Sequence, residues 1–262
     1  MDARLRQLLL VLSCFAGPAC AFDHSHAAWN ALLKQHVAVF DAGKASRVDY
    51  AGMAQDRTAL KSYLQVVSQV PETEFERWTR PQQMAFLIDA YNAFTVEKIL
   101  TRYPDIRSIW DFGKLFGNPF KDEFFVLLGR KASLDWIEHE RLRKGYGERR
   151  IHFALNCASV SCPMLREEAY VAERLERQLE EQAVRFLSDR RRNRTAENGL
   201  EVSRIFDWYK EDFEPRGRYF AGYAHLLADD PAQQARIAEG RLPLAFMEYD
   251  WSLNDSRSSS RR

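Results

Sequence analysis

Hydrophobic residues recur with helical spacing along most of this 262-residue chain. Apolar side chains return every three or four positions over residues 27–40 and again over 56–67, which predicts two amphipathic helices. A third helix is expected to begin at Thr79, because this residue can cap it and Pro81 suits its first turn. The run from Met84 to Val96 is apolar nearly all round, so this third helix is predicted to lie in the centre of the core.

Polar residues on that central helix need an explanation. An unpaired polar group in a core costs about 1–3 kcal/mol, so Asp89, Asn92 and Thr95 are expected to have partners. They either bind neighbouring backbone or face a cleft, and the sequence leaves both readings open. Asn92 and the adjacent Tyr91 are predicted to bind the substrate.

Short extended segments complete the predicted fold. Phe124–Leu128 is expected to be a strand that enters a tight turn, and 200–203 is a second strand. Between them, Ser133 is expected to cap a short helix that carries Glu138 and His139 near its middle. The predicted fold class is α+β, a mainly helical single domain around a small, partly buried β-sheet.

The stretch from Arg150 to Arg166 joins an apolar run to two cysteines and a proline. Residues 151–155 are short and lack alternation, which is typical of a strand buried on both faces. Pro163 suits a first helical position, so a charged helix is expected from there to Phe186, with Cys162 at its N-terminus. Any chemistry of this protein is expected to centre on this stretch.

Composition and charge narrow the class of protein. Hydrophobic residues make up 46% and charged residues 29% of the chain, as in ordinary globular proteins. The net charge of +1 gives no basic surface for nucleic acid, so no nucleic-acid partner is expected. No Pro/Gly/Ser-rich linker interrupts the middle of the chain, and residues 22–255 are predicted to form a single domain.

The N-terminus resembles a secretory signal peptide. Its parts are Arg4 and Arg6, an apolar run from Leu8 to Ala16, and an A-x-A site at Ala19–Ala21. Cleavage after Ala21 would give a periplasmic or secreted protein without an integral membrane segment, since the apolar run is too short to span a bilayer. A lipoprotein acylated at Cys14 is the alternative, although Leu12 fits a lipobox poorly. Residues 256–262 contain only Ser and Arg and are expected to be a disordered tail.

The two remaining cysteines suggest a thiol enzyme. Signal cleavage would remove Cys14 and Cys20, and either Cys157 or Cys162 would then be the nucleophile. His139, beside Glu138, is the first candidate for the base, and His152 is the second. Such an enzyme would hydrolyse or transfer an acyl group from an amide or a thioester.

Besides Tyr91, three polar residues are candidates for binding the substrate, which would be a small molecule or a peptide. Asn92 or Asn156 would orient the histidine or bind an oxyanion, and Ser161 lies between the two cysteines. No cofactor is expected.

Two other hypotheses remain open. His139 and His152, together with a cysteine or Glu138, are residue types that suit zinc, but their spacing matches no compact ligand motif. Alternatively, the protein is a non-catalytic periplasmic binding or scaffold domain in which Cys157 and Cys162 form a disulfide. The sequence does not favour the enzyme over the scaffold.

Several of these stretches together resemble bacterial proteins of the family catalogued as domain of unknown function 547. The matching stretches are Ala85–Val96, Ser133–His139, Arg150–Pro163, Ile205–Tyr209 and Tyr249–Asn254. Asp89 departs from the pattern, where the family usually has Asn, and the acid is expected to change the local hydrogen bonding. The resemblance implies a single, mainly helical domain with a small sheet, commonly exported, and it implies no activity.

Overall fold

The computed structural model describes residues 21–113 and 117–257. The predicted signal up to residue 20, including Cys14, and residues 258–262 of the predicted tail lie outside this range. Phe22, the first residue after the predicted cleavage site, is buried against Trp78 and Phe86. No helix in the described residues is long and apolar enough to cross a membrane.

The described elements are mostly short helices. The α-helices are α1 (Ala27–His36), α2 (Tyr50–Gln55), α3 (Arg57–Gln69), α4 (Glu72–Phe75), α5 (Arg80–Leu100), α6 (Lys144–Tyr146), α7 (Ile151–Ala154), α8 (Leu175–Leu187), α9 (Ile205–Trp208), α10 (Lys210–Phe213), α11 (Arg216–Gly222), α12 (Ala224–Leu227) and α13 (Pro231–Ala238). A π-helical stretch covers Trp136–Arg143, and 3₁₀ turns cover Ile109–Phe112, Pro119–Lys121 and Ala172–Arg174. The strands are β1 (Val37–Phe40), β2 (Ala45–Val48), β3 (Phe125–Leu127), β4 (Arg130–Ala132), β5 (Arg194–Ala196), β6 (Gly199–Val202) and β7 (Leu244–Phe246).

The described strands form three small sheets. β1 pairs antiparallel with β2, and β3 pairs antiparallel with β4. In the third sheet β6 lies between β5, which is antiparallel to it, and β7, which is parallel. The predicted class, mainly helical α+β, is therefore confirmed, with the strands divided among small sheets.

The central helix α5 was predicted correctly, including its start. The Thr79 hydroxyl accepts the N–H of Gln82, and the Gln82 side-chain oxygen accepts the N–H of Thr79 over 2.9 Å, which completes a capping box. Ile88 and Leu87 are fully buried, and the helix packs against α3 and the π-helical stretch. Its apolar surface on all sides is explained by this central position.

The predicted strand at 151–155 is wrong, because these residues form the single helical turn α7. Short apolar runs do not distinguish a buried strand from a buried helix. A helical turn directs successive side chains to different neighbours, and here Ile151 joins the core around α5 whereas Phe153 joins a second core around α8 to α12. Thus α7 connects the two cores and carries His152 between them.

The predicted helix from Pro163 is also wrong, since α8 begins only at Leu175. The intervening segment is buried and irregular, and side chains from other elements bind its backbone. Asn30 accepts the N–H of Ala169, Asp89 accepts that of Tyr170, and Gln178 accepts that of Val171. These bonds replace the helical ones, so Cys162 is not at a helix N-terminus.

The first predicted helix is shorter than expected. It ends at His36, and Val37–Phe40 continue as a strand. The β-branched Val37 and Val39 suit an extended conformation, and pairing with β2 satisfies their backbone groups.

Candidate active site

A pocket of about 570 Å³ lies beside the loop that carries the cysteines. Predicted site residues that line it are Cys157, Cys162, His139, Glu138, His152 and Tyr91. Aromatic residues from distant parts of the chain form much of the remaining wall, namely Trp110, Phe120, Trp208, Tyr209, Tyr249 and Trp251. The structure therefore brings the candidate nucleophiles and bases into one cavity.

The two cysteines are free thiols whose sulfur atoms lie 2.7 Å apart. The backbone N–H of Cys157 also donates to Cys162 Sγ over 2.8 Å. Two hydroxyls face Cys157 Sγ, that of Ser159 at 3.2 Å and that of Tyr249 at 3.3 Å. Cys157 is partly buried and Cys162 is only 3% exposed.

The surroundings of the two thiols give them different pKa values. Burial tends to raise the pKa of Cys157, but hydrogen bonds from Cys162, Ser159 and Tyr249 to its sulfur outweigh burial and lower that pKa below the usual thiol value. The pKa of Cys162 is raised, because the thiol is buried and adjoins Cys157. Cys157 is therefore the thiol of the pair that ionises more readily.

The loop from 156 to 162 is fixed by contacts on several sides. Ala158 has a left-handed φ of 62°, and its N–H donates to Asn156 Oδ1 over 3.0 Å. The Arg192 guanidinium donates to the carbonyl oxygens of Val160 and Cys162 over 2.6 and 2.8 Å. Such anchoring holds a backbone conformation that non-glycine residues rarely adopt.

His152 is held by a carboxylate that lies far away in the sequence. Its Nε2 is 2.6 Å from Asp212 Oδ2, and Arg143 donates to both oxygens of the same carboxylate over 2.7 and 2.9 Å. The hydrogen bond from His152 and those from Arg143 hold the pKa of Asp212 well below its usual range. An ionised carboxylate only accepts, so the imidazole carries its proton on Nε2.

The other nitrogen of His152 is consequently the basic one. Nδ1 is buried without a hydrogen-bond partner and lies 3.9 Å from Glu138 Oε1. The ring stacks on Tyr209, with centroids 4.0 Å apart. Tyr209 in turn donates its hydroxyl to Glu138, and burial together with the Glu138 charge raises the pKa of Tyr209.

His139 lies on the π-helical stretch and is part of the same network. Its Nδ1 accepts from Arg143 over 2.9 Å, and its Nε2 is 3.7 Å from Asp135 Oδ1. Its side chain is 32% exposed, compared with 1% for His152. Within the described residues no hydrogen bond joins either imidazole to either sulfur, so a proton passing between them must cross the pocket.

The three other candidate residues do not line the pocket. Asn92 donates to the carbonyl oxygen of Ala154 over 3.0 Å and accepts the N–H of Asn156 over 2.8 Å. Asn156 donates to the Pro163 carbonyl over 2.7 Å, and the Ser161 hydroxyl accepts the N–H of Asp250. They hold the backbone on both sides of the cysteines, and substrate binding by them stays a prediction.

Several residues of the site were not anticipated. Tyr209 and Tyr249 belong to aromatic stretches whose composition was a usable signal. The sequence gave no such signal for Asp212, because this residue sits in a charged run that is typical of a solvated surface. For the zinc hypothesis, no group of three His, Cys, Asp or Glu side chains in the described residues is arranged to hold a metal ion.

Comparison with known proteins gives one family. Residues 75–187 match the family model described as "Protein of unknown function, DUF547". No curated protein and no solved structure matches the chain. The matched range contains both cysteines and both histidines of the pocket.

Proposed function

We propose that this protein, whose residues 75–187 match a family model of unknown function, is a cysteine-dependent enzyme that hydrolyses or transfers an acyl group from an amide or a thioester. One observation carries the proposal. Cys157, with its lowered pKa, and the buried His152 line the same pocket, and Asp212, 60 positions further along the chain, holds the His152 ring. A thiolate nucleophile and an oriented imidazole are the two groups that acyl transfer requires.

In the first step Cys157 gives its thiol proton to His152 Nδ1 across the pocket, and the thiolate attacks the carbonyl carbon to form a carbon–sulfur bond. The bond to the leaving group then breaks, and the departing amine or thiolate takes the proton from His152 Nδ1, which is free again. In the second step water, or an acceptor alcohol or amine, attacks the thioester and gives a proton to Nδ1. The acyl group leaves Cys157, whose thiolate is regenerated.

Neighbouring residues have supporting roles. Asp212 holds the His152 tautomer with a free Nδ1 and stabilises the imidazolium, while Arg143 holds Asp212. The Tyr249 hydroxyl, 3.3 Å from Cys157 Sγ, is suited to donate to the thiolate or to an oxyanion that forms beside it. Because no hydrogen bond joins His152 to a sulfur in the described residues, the proton passes through the substrate or a water molecule.

Trapping of the acyl-enzyme tests the proposal. The protein is kept reduced with a phosphine, treated with S-phenyl thioacetate and a panel of activated amides, and followed by intact mass and product release. We expect an acetyl group on Cys157, none in Cys157→Ser, and turnover lowered by roughly 10²–10⁴-fold in His152→Asn. His225→Asn, an exposed histidine remote from the pocket, is the matched control. Turnover that persists in Cys157→Ser, or the absence of acylation by every probe, would contradict the proposed function.

The site of action is proposed to be the periplasm or the exterior, on the strength of the signal-like residues before Phe22. N-terminal sequencing of the protein recovered from a cell envelope fraction tests this. We expect a chain that begins at Phe22. An intact Met1 in the cytoplasmic fraction contradicts it, and a lipid-modified Cys14 supports the lipoprotein alternative instead.

A further inference from the structure

Cys162 has no catalytic step in acyl transfer, yet its sulfur is the nearest neighbour of the nucleophile. We infer that Cys157 and Cys162 form a thiol–disulfide exchange couple, in which Cys157 attacks the disulfide bond of a small-molecule or peptide substrate and Cys162 resolves the mixed disulfide. This activity goes beyond acyl transfer and uses Cys157 in a second reaction.

The geometry of the loop supports the inference. The sulfur atoms are 2.7 Å apart, closer than ordinary non-bonded contact, and a disulfide bond needs about 2.05 Å. The N–H of Cys162 donates to the Ser159 carbonyl oxygen over 3.2 Å, so the loop turns back on itself between the two cysteines. Joining the sulfurs therefore requires only a small further approach of the two atoms.

The two thiols differ in access as an attacking and a resolving thiol should. Both cysteines line the pocket, but Cys157 is only partly buried, so an incoming disulfide can reach its sulfur, whereas Cys162 is 3% exposed. The lowered pKa of Cys157 and the raised pKa of Cys162 fit the same order of events. The thiolate attacks first, and the protonated thiol acts only once a mixed disulfide adjoins it.

The exchange balances in atoms and electrons. The Cys157 thiolate bonds to one sulfur of the substrate disulfide, and the other sulfur leaves as a thiolate. Cys162 gives its proton to that thiolate or to water and attacks Cys157 Sγ, which releases the second substrate thiolate. The protein has then lost two electrons and forms a Cys157–Cys162 disulfide, and the substrate has become two thiols. A thiol reductant runs the same steps in reverse.

Oxidised glutathione serves as the probe, with intact mass recorded after quenching in acid. In the wild type we expect loss of two hydrogens and no lasting adduct. In Cys162→Ser we expect a stable glutathione adduct on Cys157, and in Cys157→Ser we expect an adduct at least about tenfold slower, because Cys162 is buried and protonated. Thermal unfolding of each variant, together with Cys162→Ala as a second variant, shows that the fold is retained.

The outcomes separate this inference from the proposed function. A lasting glutathione adduct on wild-type Cys157 would mean that Cys162 does not resolve it, and equal reactivity of the two thiols would remove the assigned order. Either result overturns the couple without touching acyl transfer, since no acyl substrate is present. Conversely, acylation is measured in reduced protein, where no disulfide forms.

Discussion

His152 donates its Nε2–H to Asp212 over 2.6 Å across 60 positions of sequence. The bond joins α7, which carries His152 between the two cores, to α10 at the edge of the second core. It leaves Nδ1 as the free, basic nitrogen of a histidine whose side chain is 1% exposed. The tautomer of the candidate base therefore depends on a residue outside the cysteine loop.

Asp212→Asn tests that dependence. The amide lets the imidazole adopt the other tautomer, so we expect acyl transfer to fall by at least about tenfold with a smaller change in KM. Because the pKa of Asp212 is lowered in the folded protein, its contribution to stability is present above the unfolded value of about 3.9 and is lost as pH falls through the folded pKa. Urea unfolding should show a destabilised variant at pH 7 and a smaller difference near pH 3. Asp207→Asn, in a surface pair with Arg204, is the control. A difference in unfolding free energy between Asp212→Asn and the wild type that does not depend on pH would contradict the stabilising role of the ionised Asp212.

Tyr249→Phe should make Cys157 less reactive. Loss of the hydroxyl removes one hydrogen bond to the thiolate, so the pKa of Cys157 rises. We expect the rate of alkylation by iodoacetamide at pH 7 to fall by up to about tenfold, which corresponds to one pKa unit, and the pH midpoint to move upward. Tyr223→Phe, in the second core and away from the pocket, should leave both unchanged. An unaltered pH midpoint of alkylation in Tyr249→Phe would show that this hydroxyl does not stabilise the Cys157 thiolate.

Arg192→Lys should slow the resolving step. Arg192 Nη2 donates to the carbonyl oxygens of Val160 and Cys162, while its Nε donates to that of Ser161 and its Nη1 to Asp189. An ammonium group with three donors cannot serve all four partners, so Cys162 should be less well positioned. We expect the glutathione adduct on Cys157 to persist several-fold longer, about threefold or more, while the initial attack keeps its rate. Arg194→Lys, whose side chain pairs with Glu201 on the surface, is the control. Equal adduct lifetimes in the two variants would show that the guanidinium has no positioning role.

Asn92→Ala should destabilise the fold. The substitution leaves the Ala154 carbonyl and the Asn156 N–H buried without their partners, at about 1–3 kcal/mol for each unpaired group. Thr95→Val is the matched control on the same helix, because its hydroxyl donates only to the Tyr91 carbonyl one turn earlier, and it should cost about 1 kcal/mol or less. Urea unfolding measures both. A loss in Asn92→Ala no larger than in Thr95→Val would argue against the backbone-holding role.

Asp89→Asn should change the pH dependence of stability. Burial raises the pKa of Asp89, although the Tyr170 N–H opposes that effect, so the folded protein favours the protonated acid. Its contribution is present below the unfolded pKa of about 3.9 and is lost as pH rises toward the folded value. Relative to the wild type, Asp89→Asn should therefore gain stability between pH 4 and pH 8 in urea unfolding. Asp105→Asn, on the surface, is the control. If the stability advantage of Asp89→Asn over the wild type shrinks as pH rises, Asp89 is ionised beside His26, whose Nδ1 is 3.5 Å away.

Long periodic segments were predictable, and short buried ones were not. α5 combined an apolar run with a cap and a proline, so local chemistry fixed both its type and its start. The turn α7 had no such signals, and its conformation depends on which core each side chain enters. The segment after Pro163 is irregular because Asn30, Asp89 and Gln178 bind its backbone, and no local pattern reveals such partners.

The same division applies to the site. Cys157 and His152 were named as candidates from residue type and from their place on or after an apolar run; both line the pocket, and their catalytic roles stay a prediction. Asp212 was missed because its role arises only when α10 packs beside α7, and a charged surface run predicts solvation. Asn92 was predicted to bind the substrate, which stays a prediction, and the structure shows its side chain bonded to two backbone groups.

The family match ends at residue 187, whereas Tyr209, Asp212 and Tyr249 lie beyond that boundary. A fragment cut there would keep both thiols but lose the carboxylate that orients His152 and a hydroxyl that faces Cys157. The range that the family model matches is thus smaller than the unit that builds the pocket. Transplanting residues 75–187 into another protein would move the reactive atoms and leave behind the groups that tune them.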